Sequence, residues 1–144
     1  MVRSEVFDKS LHATCVAFKG RGLLITGASG SGKSSLGLQL IAQGADLVAD
    51  DRVVLTQTKT SIVADAPESI RGLIEARGVG VLNTPSVGPV SLELLVDLDI
   101  SETERLPPLR VCRIGDHDLP VVHNSNSPRF PAALLLYLEH GRSE

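Results

Sequence analysis

Apolar positions in this chain fall into short runs bounded by turn residues, and most of these runs predict strands. Residues 11–18 are apolar and β-branched and predict a first strand, with a turn over residues 19–22. Leu23-Leu24-Ile25-Thr26 is continuously apolar rather than alternating, the pattern of a strand buried on both faces. From Ser34 to Gln43 the period changes to that of a helix, with Leu36, Leu40 and Ile41 at core spacing and Gly44 placed to end it in a left-handed cap. Residues 45–49 lead into Asp50-Asp51. Residues 53–56 predict a strand, and residues 61–64 its hairpin partner. The stretch 72–82 mixes β-formers with Gly78 and Gly80 and reads as a strand running into a glycine-bent loop. Residues 90–100, apolar with interleaved acids, predict another strand, and residues 106–109 a loop. Residues 111–114 and 119–122 read as short strands. A terminal helix is predicted from Phe130 to His140, with Pro131 in its first turn and Gly141 past its end. Residues 132–138 are apolar on every side, which predicts burial against the sheet and a subunit interface. The sum is an α/β chain with a mixed sheet and few helices.

The 144 residues, 42% hydrophobic and 22% charged, suit one globular domain rather than a disordered segment. Aromatic residues are only 3%, with no Trp, which argues against a stacking platform for single-stranded nucleic acid. A formal net charge of −3 supplies no basic field toward nucleic acid or anionic lipid. The apolar run 132–138 is too short to cross a bilayer. Residues 1–5 lack the apolar core of a secretory leader. Cys15 and Cys112 stand far apart with no CxxC spacing and read as buried reduced thiols, a disulfide between them being the alternative. Together these predict a reducing, cytoplasmic setting with no membrane or nucleic-acid partner.

Candidate chemistry begins with Gly27-Ala28-Ser29-Gly30-Ser31-Gly32-Lys33-Ser34, a full match to G-x-x-x-x-G-K-[ST] between a predicted buried strand and a predicted helix. Glycines let the backbone approach phosphates closely, and successive N–H groups form an anion nest at the positive end of the helix. Lys33 is placed to reach the β- and γ-phosphate oxygens of ATP, and the Ser34 hydroxyl to ligate Mg²⁺. Asp50 and Asp51 follow soon after. On an extended backbone they point to opposite sides, so one faces the nucleotide; which one is not set by spacing. Such an acid holds Mg²⁺ or takes a proton from an attacking hydroxyl. Glu75 and Arg77, two apart, share one face of a strand. Glu75 is a candidate Mg²⁺ ligand and Arg77 a candidate phosphate clamp or partner of Glu75; a surface ion pair is the plain alternative.

Three features together resemble HPr kinase/phosphorylase, the bifunctional family that phosphorylates a serine of the HPr phosphocarrier. They are His12 before a strand, the glycine loop followed by Val48-Ala49-Asp50-Asp51, and Glu75-Ala76-Arg77-Gly78-Val79-Gly80. The likeness runs from about Leu11 to Val122. It implies a P-loop kinase domain related to phosphoenolpyruvate carboxykinase, with residues 1–144 forming a single catalytic domain without the family's N-terminal regulatory domain. It implies Asp51 as the acid that deprotonates the target serine, with His12 beside it. It further implies Lys33 on the phosphates, Ser34 and Glu75 on Mg²⁺ with Asp50 assisting, and Arg105 as a further catalytic arginine. An HPr-like phosphocarrier is the implied partner and a hexamer the implied assembly. Two departures stand out. Ser35 replaces a glutamate common after the loop. The family's Pro-Val-Arg-Pro-Gly-Arg-Asn-like segment is here Pro120-Val121-Val122-His123-Asn124-Ser125-Asn126, without the arginines tied to dephosphorylation by phosphorolysis. A nucleotide-sensing module without catalysis and a small-molecule P-loop kinase are the competing readings.

Overall fold

A computed structural model of the chain describes residues 9–144; the leader reading of residues 1–5 lies outside them. Eleven strands and two helices are described: β1 (Lys9–Leu11), β2 (Thr14–Phe18), β3 (Arg21–Thr26), α1 (Lys33–Ala42), β4 (Asp46–Ala49), β5 (Val53–Gln57), β6 (Ile62–Asp65), β7 (Leu73–Ala76), β8 (Gly80–Asn83), β9 (Val90–Ser101), β10 (Arg110–Ile114), β11 (His117–Asn124) and α2 (Phe130–His140). The result is a mixed α/β fold with one large sheet and two helices. The sheet runs β1-β5-β6-β9-β3-β2-β4, with β11 also on β9 and β10 on β11, while β7 and β8 form a separate hairpin. β3 and β11 both pair parallel to β9, so three strands deliver their carboxyl ends to one edge.

Side-chain alternation divides the core into two layers. Leu23 and Ile25 of β3 join Val16, Leu94 and Val96 beneath the helices, meeting Leu36 and Leu40 of α1 and Phe130, Leu134 and Leu138 of α2. Leu24 faces the other way, toward Val53, Leu55, Ile62, Ile114 and Leu119. A bulge in β9 lets one strand serve both layers. Gly22 pairs Leu92 but Leu23 pairs Leu94, so Glu93 is skipped and the facing parity changes.

Several elements differ from the sequence expectation. The single strand over residues 11–18 is two, broken at His12-Ala13, because β1 pairs with β5 whereas β2 pairs with β3 and β4. The turn before β3 is shorter than residues 19–22. Lys19 and Gly20 take φ of 53° and 77°, and Arg21 already belongs to the strand. Residues 72–82 form the β7–β8 hairpin rather than a strand and loop, with Arg77 in its turn, so Arg77 and Glu75 do not share a strand face. In α2, Leu134, Leu135 and Leu138 are buried as expected, but Leu136 is 63% exposed. The end of α1 follows expectation. Gly44, at φ 113°, sends its N–H to Ile41 O and the Ala45 N–H to Leu40 O, a Schellman cap.

Candidate active site

The glycine loop leaves the carboxyl end of β3 and turns directly into α1. Gly30 and Gly32 hold φ of 82° and 101°, values that residues with a Cβ resist, and this lets the loop fold back on the helix start. The Ser31 N–H closes the bend on Ala28 O at 3.0 Å. α1 has no side-chain cap and no acid in its first turn, so its leading amides and positive end face the loop uncompensated. Lys33 Nζ lies across the loop, donating to Gly27 O at 2.8 Å and Ala28 O at 3.1 Å. The Ala28 N–H donates to Asp99 Oδ1 from β9 at 2.9 Å. The Ser31 hydroxyl is buried without a hydrogen-bond partner among the described residues.

Asp50 and Asp51 face opposite environments, and the backbone explains why. Asp50 directly follows β4 and is 5% exposed; Asp51 sits at φ 72°, in the left-handed region that Asp tolerates better than most residues, and its side chain is 71% exposed. The buried Asp50 carboxylate accepts three hydrogen bonds. The Ser34 hydroxyl donates to Oδ1 at 2.7 Å, the Thr14 hydroxyl to the same oxygen at 2.8 Å, and the Glu75 N–H to Oδ2 at 3.0 Å. One side chain thus ties α1, β2 and the β7–β8 hairpin together. Asp51 turns out to solvent beside His12, whose Nδ1 lies 3.6 Å from its Oδ1.

A cleft of about 210 Å³ opens over the loop and brings His12, Lys33, Ser34, Asp51, Glu75 and Arg77 together with Ser29, Gly30 and Gly32. A second cleft of about 380 Å³ adjoins it, sharing Ser34, Asp51 and Glu75 and reaching Asp50. Arg77 therefore meets Glu75 at this cleft from the hairpin turn, by a route that strand periodicity did not describe. Arg105 is exposed in the segment between β9 and β10 and lines neither cleft. Gly27, Ala28 and Ser31 complete the loop itself. Among the described residues no group of three or more His, Cys, Asp or Glu side chains is arranged to hold a metal ion. A hydroxyl with one or two carboxylates beside it suits Mg²⁺, which completes its shell with water and phosphate oxygens.

Sequence reasoning missed Thr14 and Asp99. Thr14 is fully buried in an otherwise apolar strand, and a buried hydroxyl needs a partner, which is the signal that could have found it. Asp99 was visible only as one of several acids interleaved in residues 90–100. Cys15 is a free, buried thiol pushed up in pKa by burial, whereas Cys112, expected to be buried as well, is free but only partly buried, on the edge-lying β10.

The sequence model of the HPr Serine kinase C-terminal domain matches residues 6–93, which span the loop, both aspartates and the hairpin. The HPr kinase/phosphorylase of Lactobacillus acidophilus is 39% identical over 110 residues, 74% of this chain and 34% of that protein. That of Limosilactobacillus reuteri is 36% identical over 112 residues, covering 75% and 35%. That of Acidovorax sp. is 40% identical over 111 residues, covering 68% and 35%. The chain thus spans about a third of the length of these relatives. In fold it is similar to the HPr(Ser) kinase/phosphatase from Coxiella burnetii, with a TM-score of 0.75 at 23% identity, over 91% of this chain and 88% of that one. On the family match and these identities, the chain belongs to the HPr Serine kinase C-terminal domain family.

Proposed function

We propose that the 27–34 loop is a P-loop and that the chain carries the catalytic site of an ATP- and Mg²⁺-dependent protein-serine kinase acting on an HPr-like phosphocarrier. One observation carries this reading: Lys33, Ser34, Asp51, Glu75 and Arg77 line a single cleft with the glycine loop. The relation to phosphoenolpyruvate carboxykinase, as a P-loop fold, belongs to the same reading.

Each residue then has a task its position supports. The amides of the loop and of the first turn of α1 receive the phosphates, with Lys33 turning from the Gly27 and Ala28 carbonyls to phosphate oxygens. Ser34 and Glu75 hold Mg²⁺, and Asp50, already committed to three hydrogen bonds, assists by orienting the Ser34 hydroxyl and the Glu75 backbone. Bound Mg²⁺ neutralises charge on the phosphate oxygens. Asp51 takes the proton from the carrier's seryl hydroxyl as that oxygen bonds to the γ-phosphorus and the bond to the β-phosphate oxygen breaks, releasing ADP. His12, with Nδ1 3.6 Å from Asp51 Oδ1, sits beside that carboxylate. Arg77 reaches the transferred phosphate from the hairpin turn. Arg105 joins only by family resemblance. Phosphorolysis of the phosphoserine rests on the family alone, since the segment 120–126 carries no arginine. The exposed Leu136 on α2 supports self-association, hexameric by resemblance. A cytoplasmic setting agrees with a nucleotide donor and a carrier-protein substrate.

Incubating the chain with ATP, Mg²⁺ and HPr, then mapping the product by mass spectrometry, tests this reading. Phosphate on one carrier serine is expected. ATP binding without transfer to a carrier would point instead to a nucleotide-sensing module, and turnover of small hydroxyl compounds without HPr to a small-molecule kinase.

A further inference from the structure

We propose that the cavity on the sheet face opposite the helices, beside β10, is a binding site for a small amphipathic amine, an apolar body carrying an ammonium head.

Three strands build this cavity. β3 and β11 pair parallel to β9, and the register sets Leu24, Leu95 and Val121 level with one another. Two residues further on, and therefore on the same face, Thr26, Asp97 and His123 form a second level row. Each strand thus passes from apolar to polar at the same height, just before the glycine loop begins. All six residues line a cavity of about 540 Å³, to which Leu11, Leu55 and Ile114 add further apolar wall. That volume lies within the roughly 300–1,000 Å³ of small-molecule sites, and a mainly apolar wall with a few convergent polar groups is their usual make-up. None of the residues lining it lines the two clefts of the candidate active site.

The charges at the polar row select the head of the ligand. Arg110 also reaches the cavity, but its guanidinium donates from Nη1 and Nη2 to the two carboxylate oxygens of Glu102. His123 has Nδ1 3.8 Å from the same carboxylate. Both basic groups are therefore directed to Glu102 rather than to an incoming anion. Asp97 is placed differently. Among the described residues no cationic side chain pairs with it. Its Oδ1 accepts the Asp99 N–H at 2.9 Å, which leaves Oδ2 for a ligand. In the adjacent strand the Thr26 hydroxyl donates to Val96 O at 3.2 Å and keeps its own oxygen as an acceptor. An ammonium group brings a positive charge and three donors, which suits a carboxylate and a hydroxyl oxygen above an apolar cavity. An anionic head would instead meet the charge of Asp97 at close range. The row is also joined to the glycine loop, because Asp99 in turn accepts the Ala28 N–H at 2.9 Å.

Fluorescence titration of the full chain with tryptamine and with indole-3-propionate tests the assignment. The two probes share a ring and differ in the charge of the head, and the chain has no Trp to obscure their emission. Tryptamine is expected to bind saturably with a blue-shifted emission, and indole-3-propionate about tenfold more weakly or worse. Asp97→Asn removes the charge and keeps an oxygen for the Asp99 N–H. It is expected to weaken tryptamine binding about tenfold, with a urea midpoint near wild type reporting that the fold is kept. Cys112→Phe, on the half-buried edge strand, narrows the cavity and is expected to weaken both probes. Absence of saturable tryptamine binding overturns the proposal. So does indole-3-propionate binding as tightly as tryptamine, or tryptamine affinity undiminished in either variant. The phosphate reading of the glycine loop is independent of each of these outcomes.

Discussion

Asp50 is the residue on which the candidate site is hung. It is buried, charged and held by three donors from three separate elements, an arrangement in which losing one partner leaves a carboxylate under-satisfied rather than merely less well packed. Thr14→Val keeps the shape of the side chain and removes one donor. It is expected to lower unfolding stability by about 1–3 kcal/mol, read as a reduced urea midpoint at unchanged slope. Thr14→Ser, which retains the hydroxyl, is expected to recover most of the loss; equal loss in both would place the effect in packing. The pair of aspartates was legible in the sequence as a pair, but spacing did not say which of the two would be buried. An extended backbone was the natural assumption, and the left-handed φ of Asp51 is a local choice that neighbouring residues do not announce. Thr14 was hidden for a different reason, since threonine is at home in any strand.

Helix α1 was readable to within a residue at each end, because its caps are local chemistry: a glycine loop before it and Gly44 after it. Gly44→Ala forces a Cβ into the left-handed region and is expected to cost about 1–2 kcal/mol, measured by thermal or chemical unfolding; a loss near zero would show that the cap is dispensable. Connections that depend on distant partners were less legible. The break between β1 and β2 follows from which strands they pair with, and the β7–β8 hairpin from a turn at residues 77–79 that looked like a glycine-rich loop. The end of β6 is secured by Asp65 and Arg71, whose guanidinium also reaches Ala66 O. Burial pushes the Asp65 carboxyl up, but hydrogen bonds from Arg71 and from the Ala66 amide outweigh it and hold it below its ordinary value. A depressed carboxylate adds stability that is present above the unfolded-state value of about 4 and is lost as pH falls through the folded value. Arg71→Ala is therefore expected to destabilise at neutral pH and to differ less from wild type as pH drops below about 4. A constant difference across that range would contradict the pairing.

At the scale of the whole molecule, a sheet with two apolar layers brings three parallel strand ends, one helix start and one hairpin to a common edge. A mixed sheet with few helices was legible from the short apolar runs, but strand order was not, because β9 pairs with β3, β6 and β11 across long stretches of sequence. The loop motif, the early acids and the spacing of Glu75 and Arg77 named most candidate residues and family resemblance added His12 and Arg105; the fold brings their charged side chains and Ser34, all but Arg105, to two adjoining clefts. The account stands on a loop that gathers a phosphate tail and an acid, Asp51, that takes the proton from the incoming hydroxyl. The most direct measurement is paired nucleotide binding and phosphoryl transfer to HPr for the wild-type chain and Asp51→Asn. The variant is expected to bind ATP with wild-type affinity and to transfer phosphate slower by about 10²–10⁴-fold. Transfer at the wild-type rate by Asp51→Asn, with ATP bound equally well, would contradict the account.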